Sequence, residues 1–281
     1  LACGGRDVWR RRLWHTRGHE FQRTVKTFFK NNPEHSSHRN IANRNPQLII
    51  IRQAKEVTMI PWELLDRAQV PASGEELRLY KHDRDFSIRV NGYELMNSRC
   101  HGSEEALAEM ACALIVGRPN LRVLIGGLGM GYTLAAALRR LPADSQIVVA
   151  EIVAAVVSWN RGPLADLAGR PLEDSRITIR AVDIAQILPE EPQAYDAIVL
   201  DVDNGPKGLS RPGNDWLYSP AGLKAAKRAL RPAGVLAVWS AGPDQSFTQR
   251  LIQAGFVVKE AHVRARPNGK GSHHTIWLAI H

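Results

Sequence analysis

Residues 121–151 read LRVLIGGLGMGYTLAAALRRLPADSQIVVAE, and the order of parts in this stretch decides the fold. LRVLI (121–125) is a short apolar run with β-branched residues, as in a strand of a buried parallel sheet. It runs straight into Gly126-Gly127-Leu128-Gly129-Met130-Gly131, four glycines in six residues. Glycine permits positive φ and lets backbone approach a ligand closely. Residues 132–141 are rich in Ala and Leu and end on Arg139-Arg140, which suits a helix whose C-terminal dipole favours positive charge. The next strand, 146–150, ends in Glu151, about 20–25 residues past the glycines. An acid at that spacing can take both hydroxyls of a ribose. No Lys-Ser/Thr pair follows the glycines, so the loop is not built for nucleotide phosphates. Two more strands end in acids: 176–181 before Asp183, and 195–200 before Asp201. Three carboxylates along one sheet edge suit a ligand rich in hydroxyls, amines and positive charge. They do not suit the pyrophosphate of a dinucleotide.

The chain has 281 residues, 44% hydrophobic and 23% charged, enough for one α/β domain and a small appendage. No apolar run approaches the roughly 18 residues of a membrane span. Cys3, Cys100 and Cys112 make neither a disulfide framework nor a metal cluster, which points to a reducing, cytoplasmic setting. His273-His274 has no partner cluster at metal-ligand spacing, so no metal is expected. The net charge of +9 sits unevenly: residues 1–58 hold 12 Lys/Arg against 4 Asp/Glu, the remainder 25 against 24. A body balanced in charge carries no electrostatic signature of nucleic-acid binding.

Residues 1–58 show no sustained period and no secretory h-region. They are expected to be an unstructured or non-native extension, since the first Met of the chain is Met59. Residues 59–102 form a second segment. MIPWELLDRAQ (59–69) fits a short helix with Pro61 in its first turn. Residues 76–81, 86–90 and 93–96 alternate as antiparallel strands, the last two joined by Asn91-Gly92, a strong hairpin turn. The third segment, 103–281, carries the nucleoside-binding sheet. Ser103 is placed to cap a helix running to about 116, with Glu104 and Glu105 in its first turn. Residues 152–160, 163–168 and 184–188 read as helical. The Gly/Pro-rich loop after Asp201 includes Asp203 and Asn204 and is long enough to be a substrate lid, with Trp216 at its far end. Ser219-Pro220 opens a helix to about 230, residues 235–240 form a strand, Asp244 caps a helix to 254, and 256–263 with 275–280 make an antiparallel pair. The sum is an α/β fold: a doubly wound, Rossmann-like, mostly parallel seven-stranded sheet with a small N-terminal antiparallel β appendage.

From about residue 59 onward the chain resembles the spermidine synthase family of polyamine aminopropyltransferases. The likeness rests on His101-Gly102-Ser103-Glu104-Glu105-Ala106-Leu107 after the hairpin, the glycine loop, Glu151, Asp183, Asp201 and Leu217-Tyr218-Ser219. The resemblance implies the class I methyltransferase-like fold and decarboxylated S-adenosylmethionine as donor. It implies a small-molecule amine such as putrescine as acceptor, no metal, and a homodimer built partly through the appendage. By the same resemblance Glu151 would hold the ribose, Asp183 the adenine amino group and Asp201 the acceptor amine, with Asp203, Asn204, Trp216 and Tyr218 around the acceptor. The residues themselves leave Asp183 open to a plain helix-cap role and Asp201 to a turn-forming one. Three departures stand out. Gly129 occupies the place of an acid that binds the donor's ammonium; Asn204 replaces a second acid after the fourth strand, with Asp203 one position early; and the usual hairpin glutamine is not recognisable. Two alternatives therefore stay open: methyl transfer from ordinary S-adenosylmethionine to a small acceptor, and a non-catalytic nucleoside-binding homologue.

Overall fold

The structure, a computed structural model, describes residues 61–71, 73–202, 205–206 and 215–281. The expectations for residues 1–58, for Asp203 and Asn204, and for most of the lid lie outside these residues.

The first part is a four-stranded antiparallel sheet in the order β1 (Glu63–Gln69), β2 (Glu76–His82), β3 (Asp85–Val90), β4 (Tyr93–Asn97). Asn91 and Gly92 take φ of 50° and 84°, the positive pair that a tight hairpin demands. The helix expected over 59–69 is corrected: residues 63–69 form β1, paired along β2. The reason is local. The register slips between Leu64 and Asp66, so the strand carries one extra residue and loses its alternation. Without that alternation the sequence WELLDRA reads as helical, and pairing with β2 overrides the propensity.

The second part begins with α1 (Gly102–Ala113) and continues β5 (Arg122–Gly126), α2 (Tyr132–Arg140), β6 (Gln146–Ala150), α3 (Ala154–Arg161), β7 (Ile177–Arg180), α4 (Ile184–Glu190) and β8 (Tyr195–Leu200). It closes with α5 (Asp215–Tyr218), α6 (Pro220–Ala229), β9 (Leu230–Ser240), α7 (Gln245–Gln253), β10 (Val257–Arg264) and β11 (His273–Ile280). The seven strands lie in the order β10-β11-β9-β8-β5-β6-β7. β5 to β9 are mutually parallel, while β11 runs against both β9 and β10. The expected doubly wound sheet is thus present. β9 starts earlier than expected: Leu230 pairs with Tyr195, but the next pair is Val235 with Ala197. Residues 231–234 loop out between them, which is where Pro232 and Gly234 can be tolerated.

Helix starts follow their side-chain caps at Ser219 and Asp244, and also at Asp183, described below. Ser219 accepts from the Gly222 amide at 3.2 Å, and Asp244 accepts from the Ser246 and Phe247 amides at 2.9 and 3.2 Å. Ser103 departs from its expected capping role. The N-cap of α1 is His101, without a side-chain cap, and the buried Ser103 hydroxyl is engaged elsewhere. On one face of the sheet, Tyr218, Phe247 and Trp277 stack edge to face at 5.6 and 5.0 Å, seating α7 and the C-terminal hairpin on the core.

Candidate active site

In an open parallel sheet, ligands bind beyond the carboxyl ends of the strands where the winding direction reverses. Here that point lies between β5 and β8: the chain leaves β5 for β6 and β7, then returns to lay β8 on the other side of β5. The register aligns the strand ends, with Gly126 opposite both Ala150 and Leu200. The Gly127 amide donates to the Ala150 carbonyl at 2.9 Å and the Asp201 amide to the Gly126 carbonyl at 3.0 Å. Glu151 and Asp201 therefore stand one residue past the same row, flanking Gly127. At Gly127 φ is +86°, and a Cβ there would fall 2.5 Å from the Asp201 carbonyl oxygen. Any other residue would push the Asp201 strand end away.

The three acids are ordered in different ways. Glu151 is 7% exposed and accepts from the Leu128 amide at 3.0 Å and the Val153 amide at 2.8 Å. It ties the glycine loop to the end of β6. A carboxylate accepts about four hydrogen bonds, so this anchoring is compatible with ribose hydroxyls. Asp183 lies past β7 and caps α4 through the Ala185 amide at 2.8 Å, so its capping role is observed. Asp201 is half-buried, and the Thr133 hydroxyl of α2 donates to its Oδ2. Burial pushes the Asp201 carboxyl up to about 6, with the Thr133 hydrogen bond opposing it.

Sequence reading missed Glu104 and Tyr132. Glu104, treated above as a first-turn acid of a helix, interacts electrostatically with Asp201. Burial first, and the Asp201 charge second, hold its carboxyl well above the usual range. Tyr132, the first residue of α2, stacks on His101 with ring centroids 4.1 Å apart and 12° between planes. Its hydroxyl donates to the Ser98 carbonyl at 3.2 Å. Burial, then the charges of Glu104, Glu105 and Asp85, push the pKa of its hydroxyl up.

Gly129 has φ +53°, and a Cβ there would meet Met96 Cε at 2.7 Å. The Met96 thioether of β4 thus stands beside the glycine loop at Gly129. Two further contacts join the β appendage to this region: Trp159 Nε1 donates to Asp66 at 2.7 Å, and the Tyr132 hydroxyl reaches Ser98. Asn160 donates to the Gly129 carbonyl at 2.8 Å and braces the loop from α3. The outer glycines are packing positions. A Cβ on Gly126 would strike Ile184 Cδ1 at 2.7 Å, and one on Gly131 would strike Asn160 Oδ1 at 2.9 Å. Of the aromatic candidates, Trp216 packs partly buried against the core cluster, and Tyr218 is buried with its hydroxyl donating to the Val202 carbonyl at 3.2 Å. Tyr218 thereby braces the segment after Asp201. Among the described residues no group of three His, Cys, Asp or Glu could hold a metal ion, and no helix is long and apolar enough to cross a membrane.

No family model matches the chain. It is 30% identical over 146 residues to a polyamine aminopropyltransferase of Prochlorococcus marinus (strain NATL1A), a match spanning 52% of this chain and 48% of that protein. The match thus reaches only about half the length of that relative. Similar crystal structures include the following three. Spermidine synthase from Thermotoga maritima superposes with a TM-score of 0.62 at 17% identity, over 77% of this chain and 72% of that one. A spermidine synthase in complex with the transition state analogue AdoDATO gives 0.61 at 18%, over the same shares. A probable spermidine synthase from Corynebacterium glutamicum ATCC 13032 gives 0.54 at 16%, over 78% and 79%. The chain has the fold of the spermidine synthases, methyltransferase-like sheet and N-terminal β appendage together, and half of its sequence is similar to a polyamine aminopropyltransferase.

Proposed function

We propose that this protein is a spermidine synthase-like transferase that moves an aminopropyl group from decarboxylated S-adenosylmethionine to a polyamine such as putrescine. The observation that carries this reading is Asp201: a carboxylate next to Gly127, ordered by Thr133 and pushed up to about 6. The likeness to a polyamine aminopropyltransferase supports the reaction class. In the reaction, the lone pair of a neutral amine attacks the carbon beside the sulfonium. The N–C bond forms, the C–S bond breaks, its electron pair returns to sulfur, and the amine's proton passes to Asp201. A base whose ordinary range lies well below neutral would hold that proton weakly; one near 6 is better matched to work at pH 7. Alignment of the two reactants along the glycine loop supplies most of the remaining acceleration. In this reading Glu151 holds the ribose and Asp183 the adenine amino group. Asp203 and Asn204 are assigned to acceptor binding, and the segment 59–102 to the wall of the pocket in which the segment 103–281 binds the nucleoside.

One observation favours a second reading. Met96 beside Gly129 offers a donor's tail a polarisable thioether and no carboxylate, so ordinary S-adenosylmethionine and methyl transfer stay in competition. Calorimetric titration with each donor, followed by mass analysis of product with putrescine, separates them. Tighter binding of the decarboxylated donor and a product heavier by an aminopropyl group are expected. Preference for the carboxylated donor with a product heavier by a methyl group would replace the first reading with the second.

A further inference from the structure

We propose that His274 is a positioning residue of this site: as a neutral ring with its proton on Nε2 it takes the Ser103 hydroxyl, and so latches the first turn of α1, which lies against Thr133, to the C-terminal hairpin. Its catalytic consequence rests on the reading of Asp201 given above; the latch rests on hydrogen-bond geometry alone.

His273-His274 opens β11, and the structure parts the two: His273 is exposed and His274 partly buried. The His274 Nδ1 lies 2.8 Å from the Ser103 hydroxyl, and its Nε2 lies 3.0 Å from that of Ser272. Trp239 of β9 meets the His274 ring edge to face at 4.7 Å, and its Nε1 is 3.1 Å from the same Ser103 oxygen. These bonds run in one direction. An indole N–H only donates, so Ser103 accepts from Trp239. Ser103 is 1% exposed, and among the described residues its hydroxyl has no acceptor other than His274 Nδ1. A proton on Nδ1 would leave the Ser103 hydrogen buried with nowhere to go, at the cost of its desolvation. The hydroxyl therefore donates to a bare Nδ1, the ring proton sits on Nε2, and Nε2 donates to Ser272.

The latch closes a tight joint. Beside it the Gly102 amide donates to the Ala265 carbonyl at 2.8 Å, and a Cβ on Gly102 would lie 2.7 Å from the backbone of Arg266 and Pro267. One residue past Ser103, the Glu104 carbonyl is 3.4 Å from Thr133 Oγ1. That hydroxyl has a single hydrogen and gives it to Asp201, the nearer acceptor. Where the first turn of α1 sits therefore sets the competition for this hydrogen, and with it the basicity of Asp201. His274 acts on Asp201 through Ser103, the first turn of α1 and Thr133.

A second proton on His274 turns Nδ1 from acceptor to donor and undoes the chain. The charged and titratable groups on the elements around it are His273 on β11, His262 and Arg264 on β10, Arg266 and Lys270 in the turn between them, and His101, Glu104 and Glu105 at the start of α1. Arg264 is turned to the Gly271 carbonyl at 3.0 Å, and Glu105 to Arg139 at 3.0 Å. Among the described residues no carboxylate pairs with His274. Burial holds its pKa below the usual histidine range. The latch is thus whole above about 6.5, the unfolded value, and is lost as pH falls through the lower native one.

The test uses the full chain as wild type, His274→Asn, His274→Ala and Ser103→Ala. Nitrogen NMR of the histidine rings reads tautomer and titration; hydrogen exchange at the Gly102 amide reads the joint. In the wild type His274 should carry its proton on Nε2 and titrate below the usual range. As pH falls through that titration, Gly102 protection should drop about tenfold, the order expected of one lost hydrogen bond. In His274→Asn the amide oxygen stands where Nδ1 was and does not titrate, so protection should hold at low pH. Ser103→Ala and His274→Ala should be poorly protected at every pH. A proton on Nδ1, a His274 that titrates at about 6.5 or above, or a His274→Asn profile that follows the wild type overturns the proposal. Transfer rate against pH separates positioning from plain structure. In His274→Ala the acid limb of kcat should move to higher pH as the hold of Thr133 on Asp201 loosens, with donor KM unchanged, and His274→Asn should restore it. An unmoved limb in His274→Ala overturns the positioning role. No transfer by the wild type, with tautomer and exchange as expected, would refute the reaction and leave the latch standing.

Discussion

β8 carries two acids five positions apart, and the protein treats them in opposite ways. Asp196, near the start of the strand, is 3% exposed and saturated with donors: the Arg122 amide at 2.9 Å, Arg231 at 2.7 Å and Arg118 at 3.4 Å. Arg118 also donates to the Ala233 carbonyl, so the pair pins the start of β5 to the loop-out of β9. Asp201, one residue past the other end, has the Thr133 hydroxyl and no guanidinium partner among the described residues. A buried carboxylate with two guanidinium partners is bound structure. A desolvated carboxylate short of cations is unspent basicity, maintained against stability, and such groups gather at sites of chemistry. Along β8 the amino end is held by ion pairs, and the carboxyl end keeps an acid ordered by a neutral hydroxyl.

The largest expected effect breaks this contrast from both ends. Asp201→Asn keeps shape and hydrogen bonding but removes the base. Turnover should fall by about 10²–10⁴-fold, the usual worth of a positioned general base, while donor affinity stays within about twofold. Asp196→Asn should do the reverse. It leaves Arg118 and Arg231 facing a neutral amide and should cost about 2 kcal/mol of stability, discounted because both guanidinium groups are about one-third exposed, 29% and 36%. Turnover per folded molecule should be unchanged. Paired denaturant melts and transfer assays check both; equal loss of donor binding and turnover in Asp201→Asn would reassign that residue to the donor.

A middle-sized effect concerns the donor's tail. Gly129→Asp alone introduces a side chain at φ +53° that meets Met96 Cε at 2.7 Å, so it should weaken binding of either donor. Adding Met96→Ala frees that space. The double variant should then favour the decarboxylated donor over the carboxylated one by about tenfold relative to wild type, the worth of about 1.4 kcal/mol. Competition calorimetry reads the ratio directly. A double variant with the wild-type ratio would show that the donor's tail runs elsewhere.

Most of the sheet was legible because its signals are local. The runs before Gly126, Glu151 and Asp201 are apolar and short, and each ends on a turn residue or an acid. The Asn91-Gly92 hairpin and the Ser219 and Asp244 caps likewise follow from neighbouring residues. What failed to show depends on contacts distant in sequence. β1 was read as a helix because a bulge at Leu64–Asp66 hides its alternation, and only β2 reveals it. Ser103 reads as a cap because the Trp239 and His274 that claim its hydroxyl lie 136 and 171 positions away. Glu104 was invisible for the same reason: its partner in charge, Asp201, is fixed by the crossover of the whole sheet. Met96 beside Gly129 is a contact between a strand of the small sheet and the loop after β5, and no periodicity announces it.

The smallest effect sharpens the same contrast through stability alone. Glu104 has its native carboxyl raised by burial and by Asp201. Below the ordinary carboxylate range it is protonated in native and unfolded chains alike, and its contribution to stability is fully present. As pH rises past the unfolded value, the unfolded chain releases its proton while the native one retains it. Native stability therefore declines with pH until the native group itself ionises. Asp201 adds a decline of the same sign, ending near 6. Glu104→Gln removes the first contribution and leaves the second. Thermal melts of the variant and the wild type should coincide near pH 4 and diverge as pH rises, the variant melting about 2–4 °C higher at pH 8, the shift that about 1 kcal/mol produces in a chain of this size. Asp196→Asn, at the other end of the strand, should lower the melting point at both pH values. Parallel curves for Glu104→Gln and the wild type would mean that Glu104 is solvated and ordinary, and that the two ends of β8 differ less than their partners suggest.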